Sequence, residues 1–388
     1  MEISSVSLKN WRNFQKADAA LGDVTYVIGA NATGKSNFLD VFRFLRDIAK
    51  PNGGGLQKAI SDRLGLSKMR CLHARRDPEI SIEVQFVENK GDETPLWTYR
   101  LAIKSEGAGA NRPVVGKEEV FHNVKGKMIP VLERPNDIDK EDKERLTETA
   151  LEQVQSNKKF REIAEFFSDM TYLHLVPQLL KYGEFIGGRQ LESDPFGQAF
   201  LERVAKTPEK TRSSRLTRIN NALAKAIPQF EGLHFVKDDA GRPHLEMKYL
   251  HHRPGAGLQR EDQFSDGTLR LIALFWMLMD GNSLLLLEEP ELSLDEDIVR
   301  SLPRLIAKVR KSSKKAGRQI IVSTHSQALL EEKAIDGRSV LRLEREGEGT
   351  KIVAPTESEL LLLESGLSAA DVLLPKVHPK DAIRMALS

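Results

Sequence analysis

The stretch GANATGKSN, residues 29–37, constrains the fold of this chain more than any other part of the sequence. It follows the apolar run VTYVI and precedes a predicted helix over 35–49, and its pattern is a glycine, four residues and then Gly34-Lys35-Ser36. In such a turn, successive backbone N–H groups point at an anion and the helix adds its positive N-terminal end. The lysine then reaches the outer phosphates, and the serine hydroxyl ligates Mg²⁺. The sequence therefore predicts a phosphate-binding loop, with an ordinary glycine-rich turn as the alternative.

The composition is that of a globular chain with a large core. Of the 388 residues, 40% are hydrophobic, which is enough for one large domain or two smaller ones. The longest apolar stretches are much shorter than a membrane span, and the start MEISSVSLKNW lacks the basic and then apolar run of a signal peptide. We therefore expect a cytoplasmic protein with no membrane partner.

The net charge of +2 is too small to indicate nucleic-acid binding by bulk electrostatics. A local patch of positive charge is the remaining way in which this chain can bind nucleic acid. Arg212, Arg215 and Arg218 follow one another at helical spacing and are the best candidates for a surface that contacts a phosphate backbone. A solvated helix face is the alternative for these arginines. Nucleic acid is therefore kept as a candidate partner.

Three regions differ in character along the chain. Residues 1–105 have the pattern of strands and one helix, which is typical of the first lobe of an α/β domain. Residues 106–258 begin with further strands, become helical near Lys140 and end in a hairpin that turns at 239–241. We interpret this second region as an insertion that offers a partner or dimer surface. Residues 259–388 alternate helices with short buried strands and form the second lobe.

The last region carries most of the chemical information. In QFSDGTLRLIALFWMLM, a loop leads through Ser265 into a long apolar helix. In SLLLLEEPELSLD, four leucines make a buried strand, and Glu288, Glu289 and Glu291 follow, where carboxylates are costly unless they bind a cation or serve a site. A further buried strand in RQIIVSTHSQALL leads to His325. Apolar strands alternating with helices predict an α/β fold with a mainly parallel sheet, whose ligands collect at the carboxyl ends of the strands.

These parts match the needs of phosphoanhydride hydrolysis, which are a phosphate cradle, a metal carboxylate, a group that orients water and further donors to the γ-phosphate. Glu288 is the candidate that holds Mg²⁺ through its water shell, and Glu289 the one that polarises the attacking water. His325 is the candidate donor to the γ-phosphate. Each has a plainer interpretation, because a histidine after a strand is usually a satisfied loop residue and Glu-Glu-Pro is compatible with a simple turn. All four parts in the expected order favour a hydrolase.

Five stretches resemble motifs of ABC-type ATPase heads. In chain order, GANATGKSN, FSDGTLR, LLLLEEPE, SLD and STHS look like the Walker A, signature, Walker B, D-loop and H-loop motifs. The wording is most similar to the RecF-like and OLD-like predicted ATPases of the SMC-related AAA group, and the opening VSLKNWRNF resembles the N-terminal strand of those heads. The resemblance implies an α/β, ABC-type P-loop ATPase head with a mainly parallel sheet and a large mixed α/β to helical insertion, and ATP and Mg²⁺ as cofactors.

The resemblance also implies roles for individual residues. Around the phosphates and Mg²⁺ it places Gly29, Asn31, Gly34, Lys35, Ser36 and Asn37. Glu288 corresponds to the Walker B metal acid, Glu289 to the catalytic carboxylate and His325 to the switch histidine. At a head-to-tail dimer interface it places the signature residues Ser265 and Gly267, which contact the γ-phosphate bound by the other subunit, and the D-loop residues Ser293 and Asp295. Gln85 is the candidate Q-loop ligand of the metal, and Arg12 a candidate nucleotide contact.

Two positions depart from the usual motifs. Glu288 stands where ABC proteins usually carry aspartate, and its side chain is one methylene longer. Asp266 replaces the first glycine of the usual signature pair, which is common wording in OLD-like ATPases and unlike transporters. Neither departure removes a required donor.

Several functional classes share these motifs. A transporter ATPase subunit has a short helical insert, whereas about 230 residues separate Ser36 from Ser265. A long-armed SMC or repair ATPase has a coiled coil in that interval, and no sustained heptad repeat is visible there. Both classes are therefore disfavoured.

The resemblance favours a bacterial OLD-like ATPase that forms a dimer or higher homo-oligomer on ATP and controls a separate effector in an antiviral defence system. The effector is expected to be a nuclease or a toxin. An OLD nuclease carries a TOPRIM domain after its ATPase, and only about 55 residues follow STHSQALL, so we expect no nuclease activity from this chain. A RecF-like ATP-dependent DNA clamp in DNA repair is the alternative.

Overall fold

The structure, a computed structural model, describes residues 1–72, 77–89, 91–92, 94–107, 110–182, 194–227, 229–250, 257–311, 317–347 and 349–377. The chain divides into two compact units. Unit 1 comprises residues 1–170, 283–286 and 318–388, and unit 2 comprises residues 171–282 and 287–317. This division differs from the three predicted regions, because it assigns the first part of the predicted insertion to unit 1.

The strands and helices follow one another in both units. The first stretch of unit 1 contains β1 (Glu2–Trp11), β2 (Phe14–Ala20), β3 (Val24–Ile28), α1 (Lys35–Ala49), α2 (Leu56–Ser61), α3 (Leu66–Met69), β4 (Ile80–Val87), β5 (Trp97–Gly107), β6 (Ala110–Val124), β7 (Lys127–Arg134), α4 (Asp137–Glu141) and α5 (Arg161–Ser168). Next come β8 (Thr171–Leu173), α6 (Pro177–Tyr182), α7 (Phe200–Lys206), α8 (Glu209–Ala226), β9 (Phe230–Lys237), β10 (Pro243–Tyr249), β11 (Leu258–Arg260), α9 (Asp266–Leu278), β12 (Leu285–Glu288) and α10 (Glu296–Lys311). The last stretch of unit 1 contains β13 (Ile320–Thr324), α11 (Gln327–Leu330), β14 (Val340–Glu346), β15 (Gly349–Val353), α12 (Glu357–Glu364) and α13 (Ala369–Val372). Within the described residues, none of the helices is both long and apolar enough to cross a membrane.

The sheet that carries the predicted phosphate loop is built around β3. Within unit 1 its strand order is β15-β14-β3-β13-β12, and both neighbours of β3 run parallel to it. β15 is antiparallel to β14. β12 begins in this unit, where the N–H of Leu285 donates to the carbonyl of Gln319 over 2.9 Å. The parallel sheet predicted from the apolar runs is therefore confirmed.

The helix predicted over 35–49 is confirmed as α1. Its apolar residues recur at helical spacing, and Phe38, Phe42 and Leu45 are completely buried. The helix packs against β13 and α5 within unit 1. The phosphate loop is thus held between a buried strand and a buried helix.

The second sheet of unit 1 has six strands and is antiparallel throughout. Its order is β2-β1-β4-β5-β6-β7, and β4 alternates buried with half-buried residues, as a sheet with one covered face does. β5 and β6 pair from Trp97 opposite His122 to Gly107 opposite Ala110. The predicted boundary at residue 105 therefore falls inside a hairpin, because β5 and β6 share one ladder.

Residues 140–155 differ from the helix predicted from their charge pattern. α4 is short, and a single 3-10 turn follows it. Buried Glu118 accepts a hydrogen bond from the N–H of Ala150 at 2.7 Å, and Arg134 donates to the carbonyl of Arg145 at 2.7 Å. Because side chains bind these backbone groups, a helical ladder does not use them. Burial raises the pKa of Glu118 even with Arg134 3.1 Å away.

Unit 2 contains the predicted hairpin and the predicted long helix. β9 and β10 pair across a turn in which Gly241 has a φ of 79°, and β11 adds to β10. α9 begins after Ser265, and all its residues from Leu269 to Leu278 are buried. Both predictions are confirmed, since turn glycines and apolar runs are local signals.

Arg212 and Arg215 on α8 pack against other elements of unit 2. Arg215 donates to Asp280 over 2.9 Å and lies 5.1 Å from the ring centroid of Trp276. Arg212 lies 4.3 Å from the ring centroid of Phe235. These guanidinium groups pack on neighbouring elements and are only half-buried. Their contact with a phosphate backbone stays a prediction.

Candidate nucleotide site

The loop between β3 and α1 has the backbone of a phosphate cradle. Gly34 has a φ of 100° and is the N-cap of α1, and a Cβ there would lie 2.3 Å from Nδ2 of Asn13. A Cβ at Gly29 would lie 2.5 Å from Oγ1 of Thr33. Only glycine fits both positions without a shift of these neighbours. In the described part of the chain no side chain caps α1, which suits an anion at this helix end.

Lys35 lies over this loop. Only 8% of its surface is exposed, and its Nζ donates to the carbonyl oxygens of Gly29 at 2.9 Å and Ala30 at 3.3 Å. Ser36 follows at an exposed position, and Asn31 is exposed within the loop. One turn thus contains the Lys35 ammonium, the Ser36 hydroxyl and the glycine backbone. These residues fit the phosphates and the Mg²⁺ of a nucleotide.

Asn13 lies outside the loop and stabilises it through hydrogen bonds. The sequence analysis did not identify this residue. Its Nδ2 donates to the carbonyl of Thr33 and to Oγ1 of Thr350, both at 2.8 Å. Its Oδ1 accepts from Nδ2 of Asn37 at 2.8 Å. The Thr350 hydroxyl also donates to the Thr33 carbonyl at 3.0 Å. The role of Asn37 in nucleotide binding stays a prediction, and its amide already supports the loop through Asn13.

Arg12, the candidate nucleotide contact, forms an ion pair with Asp40 on α1 at 2.9 Å. Arg63 binds the same carboxylate at 2.8 Å. Burial on its own would raise the pKa of Asp40, but Arg63 and Arg12 outweigh it and hold that pKa below its usual range. The contact of Arg12 with nucleotide stays a prediction.

His325 leaves the parallel sheet beside the phosphate loop. Thr324, the last residue of β13, stands opposite Ile28, the last residue of β3. His325 therefore follows its strand at the edge where Gly29 follows β3, and its side chain is exposed. The two residues reach the same edge of the sheet because the strands are parallel and in register.

Gln85 lies in β4, in the antiparallel sheet. Its Oε1 accepts from the Ser5 hydroxyl, and its Nε2 donates to Glu83, both at 3.1 Å. The amide is therefore engaged at both ends with neighbours in the sheet. Its predicted role as a metal ligand stays a prediction.

In unit 2, Glu288 is the last residue of β12. The Tyr172 hydroxyl of β8 donates to its Oε2, and Tyr172 is itself buried. This hydrogen bond from the phenol restricts the rotamers open to the Glu288 side chain. The sequence carried no sign of this contact, because the two residues are 116 positions apart.

Glu289 has a strained backbone. Its φ of 44° lies in the left-handed region that residues with side chains rarely adopt. Its carbonyl accepts from Nη2 of Arg270 at 3.0 Å and from the N–H of Leu292 at 3.2 Å. Arg270 is buried, which lowers its pKa, while Glu291 and Glu289 act in the opposite direction. Arg270 therefore holds the turn that presents Glu289, and it too was missed from sequence.

The signature and D-loop residues meet within unit 2. Ser265 is the N-cap of α9, and its Oγ accepts from the Thr268 N–H at 3.1 Å. A Cβ on Gly267 would lie 2.4 Å from the Ser293 carbonyl oxygen, and Ser293 has a φ of 63°. Asp295 precedes α10 and accepts from the Asp297 N–H at 3.0 Å. Gly267 is thus required by close packing against the D-loop, although its role toward nucleotide stays a prediction.

Comparison with known proteins identifies the family. The family described as "AAA domain, putative AbiEii toxin, Type IV TA system" matches residues 24–331, which run from β3 and the phosphate loop past His325. The chain belongs to this family. This AAA family is one of ABC-type ATPases, whose members bind ATP, usually with Mg²⁺. The finer RecF-like or OLD-like assignment stays a prediction.

Solved structures of low sequence identity share the fold. An Smc head bound to the C-winged helix domain of ScpA has a TM-score of 0.57 and 15% identity, with 92% of this chain and 99% of that chain covered. An Smc head with an extended coiled coil, bound to the C-terminal domain of ScpA and derived from Pyrococcus furiosus, has a TM-score of 0.54 and 14% identity, with 94% and 99% covered. The fold of this AAA-family chain is therefore that of an SMC-type ATPase head.

One curated relative is similar over a short segment. Endonuclease GajA of Bacillus cereus (strain VD045) is 43% identical over 47 residues, which are 12% of this chain and 8% of the endonuclease. The matched segment is thus a small part of either protein. The similarity indicates a relationship between these short segments only, and endonuclease activity of this chain is not inferred from it.

We expect Asn13→Ala to weaken nucleotide binding by about tenfold or more, because it removes three hydrogen bonds that shape the loop, each worth about 1 kcal/mol. Calorimetric titration with ATP and Mg²⁺ measures the change. The matched control is Asn123→Ala, since Asn123 accepts a single bond from Gly126 in the β6–β7 turn. Wild-type affinity in the Asn13 variant would show that the loop keeps its shape without this side chain.

Proposed function

We propose that this chain binds ATP with Mg²⁺ and hydrolyses it. The observation that carries the proposal is the phosphate loop, in which Lys35 is buried over the Gly29 carbonyl at 2.9 Å and Gly34 has the left-handed backbone that the turn needs. In this proposal the loop holds the phosphates, and Ser36 and Glu288 hold the metal, Glu288 through water. Gln85 is the weakest of the proposed metal ligands, because its amide is engaged within the antiparallel sheet.

Glu289 is the proposed catalytic carboxylate, which orients and polarises the attacking water. Its left-handed φ of 44° supports this role, since strained backbone clusters at functional sites. The Arg270 bond at 3.0 Å keeps the strained turn in place. His325 is the proposed donor to the γ-phosphate, which fits its exposed position at the sheet edge where Gly29 also lies. The bound metal would neutralise charge that develops on the phosphates.

We further propose a head-to-tail homodimer that encloses ATP. Ser265 and Gly267 would reach the nucleotide of the partner subunit, and Ser293 and Asp295 would line the interface. Support comes from the fit of Gly267 under the Ser293 carbonyl, which makes the signature and the D-loop one surface.

The proposed biological role is control of a separate effector, a nuclease or a toxin, in a bacterial defence system in the cytoplasm. The family description names a toxin of toxin–antitoxin systems, the segment similar to GajA belongs to an endonuclease, and the Smc heads of the same fold are bound to a second protein, ScpA. The alternative of a RecF-like DNA clamp has less support, because Arg212 and Arg215 are occupied within unit 2.

We expect Glu289→Gln to retain ATP but to slow hydrolysis about 100-fold or more, as loss of a positioned catalytic group does. Lys35→Ala is expected to lose ATP binding, because it deletes the cation placed on the β and γ phosphates. Steady-state phosphate release and ATP titration separate the two effects. Glu165→Gln, at an exposed position of α5, is the control and is expected to match wild type. Wild-type turnover in the Glu289 variant would remove that residue from the mechanism.

Ser265→Arg is expected to leave nucleotide binding nearly intact and to block hydrolysis, because a bulky cation would occupy the place of a donor in trans. Mixing it with Lys35→Ala should restore about a quarter of the active sites, since half of the randomly mixed dimers have one intact site. Mixing Lys35→Ala with Glu289→Gln should restore none, because both defects lie on the same side of a site. Equal rates in the two mixtures, with mixed dimers demonstrated, would rule out the head-to-tail arrangement.

The purified chain is expected to hydrolyse ATP without cutting DNA or RNA, because the proposed chemistry resides in a separate effector. Plasmid, single-stranded DNA and RNA, incubated with ATP and Mg²⁺ or Mn²⁺, test this directly. Copurification with the product of the neighbouring gene then tests for the effector. Metal-dependent cleavage by the chain alone, abolished by a substitution within it, would contradict the proposed division of labour.

A further inference from the structure

We propose that Asp266 is a positioning residue and that helix α6 holds the signature loop through it. The inference rests on the proposed function, because it concerns how the signature is presented for hydrolysis. Nζ of Lys181 binds Oδ1 of Asp266 at 2.7 Å, and Nε2 of Gln178 donates to Oδ2 at 3.2 Å. Both oxygens of one carboxylate are therefore bound from a single helical turn.

Helix α6 is itself anchored by buried residues. α6 buries Pro177 and Leu180, on the same short helix as Gln178 and Lys181. The Lys181 side chain is only 13% exposed, against 40% for Asp266. Because solvent reaches the ammonium poorly, this ion pair is screened less than a pair on the open surface. α6 thus provides a firm support for the carboxylate.

The held residue lies at the centre of the signature. Asp266 is the first residue of α9, between the N-cap Ser265 and Gly267. On one side α6 binds its carboxylate, and on the other Gly267 packs under the Ser293 carbonyl. The start of α9 is therefore fixed between α6 and the D-loop. A shift of α6 would move Ser265 and Gly267 together, since they belong to the same turn.

These contacts give a physical reason for the aspartate at position 266, where the usual ABC signature has glycine. A glycine there would have no side chain for Lys181 and Gln178 to hold. The alternative explanation is that the Asp266 charge stabilises the N-terminal end of α9 through the helix dipole. That role does not require Lys181, so the two explanations predict different behaviour when Lys181 is changed.

The experiment is a double-mutant cycle on turnover, with Lys181→Met, Asp266→Asn and the double variant. We expect each single variant to lower kcat by about 10- to 100-fold, as a misplacement of about 1 Å does, with KM for ATP within about twofold, because the phosphate loop is untouched. The double variant should be no worse than the poorer single variant, since the two residues act through each other. Lys181→Arg should restore part of the rate.

Lys140→Met is the matched control, because Lys140 pairs with Asp137 at 2.8 Å on the exposed surface. Thermal unfolding checks that each variant is folded, and Gln178→Leu, expected to lower kcat without a change in KM, replaces Lys181→Met if the latter does not fold. Three results would overturn the proposal: wild-type kcat in the folded Lys181 and Gln178 variants, a double variant whose loss is the product of the single losses, or a loss confined to KM. A wild-type chain without ATPase activity would instead overturn the proposed function and this inference together.

Discussion

The pairing of β3 on both sides is the constraint on which the phosphate loop depends. Val27 and Ile28 are completely buried, and parallel strands β13 and β14 flank them. A central strand in a parallel sheet leaves its chain at a defined edge, and the neighbouring strand leaves there too. The positions of Gly29 and His325 follow from the polarity of the sheet. Side chains such as Asn13 then refine a loop whose place is already set.

Several of the predicted site residues have a left-handed backbone conformation. Gly34 adopts it at little cost, whereas Glu289 and Ser293 carry side chains that make it unfavourable by about 1 kcal/mol each. Such residues persist only when their surroundings hold them. In unit 2 the Arg270 bond to the Glu289 carbonyl and the packing of Gly267 under Ser293 supply that support. The turn after β12 is therefore held at two points, the Glu289 carbonyl and the Ser293 carbonyl.

Local signals in the sequence predicted the local structure well, and contacts between distant residues escaped it. α1, the hairpin at Gly241 and the start of α9 follow from glycine placement, capping and apolar periodicity. The long helix expected from residue 140 is reduced to the short α4 and a 3-10 turn, because Glu118 and Arg134 bind the backbone groups of Ala150 and Arg145 from the sheet. The supporting residues of the site were missed for the same reason, since their partners are far away in sequence. These residues are Asn13, Tyr172, Lys181 and Arg270.

The long sequence separations within unit 1 have a consequence for how this chain folds during synthesis. β3 is complete after residue 28, but its partners β13 and β14 begin only at residues 320 and 340. At roughly 5–20 residues per second, a ribosome needs about 15–60 s to supply the first of them. During that time the apolar strand β3 has neither of its neighbours. Asn13 likewise lacks its hydrogen-bond partner Thr350, which lies 337 positions later in the chain. Because an unpaired apolar strand is a template for aggregation, that risk lasts through most of synthesis. The phosphate loop is among the last parts to acquire its final shape.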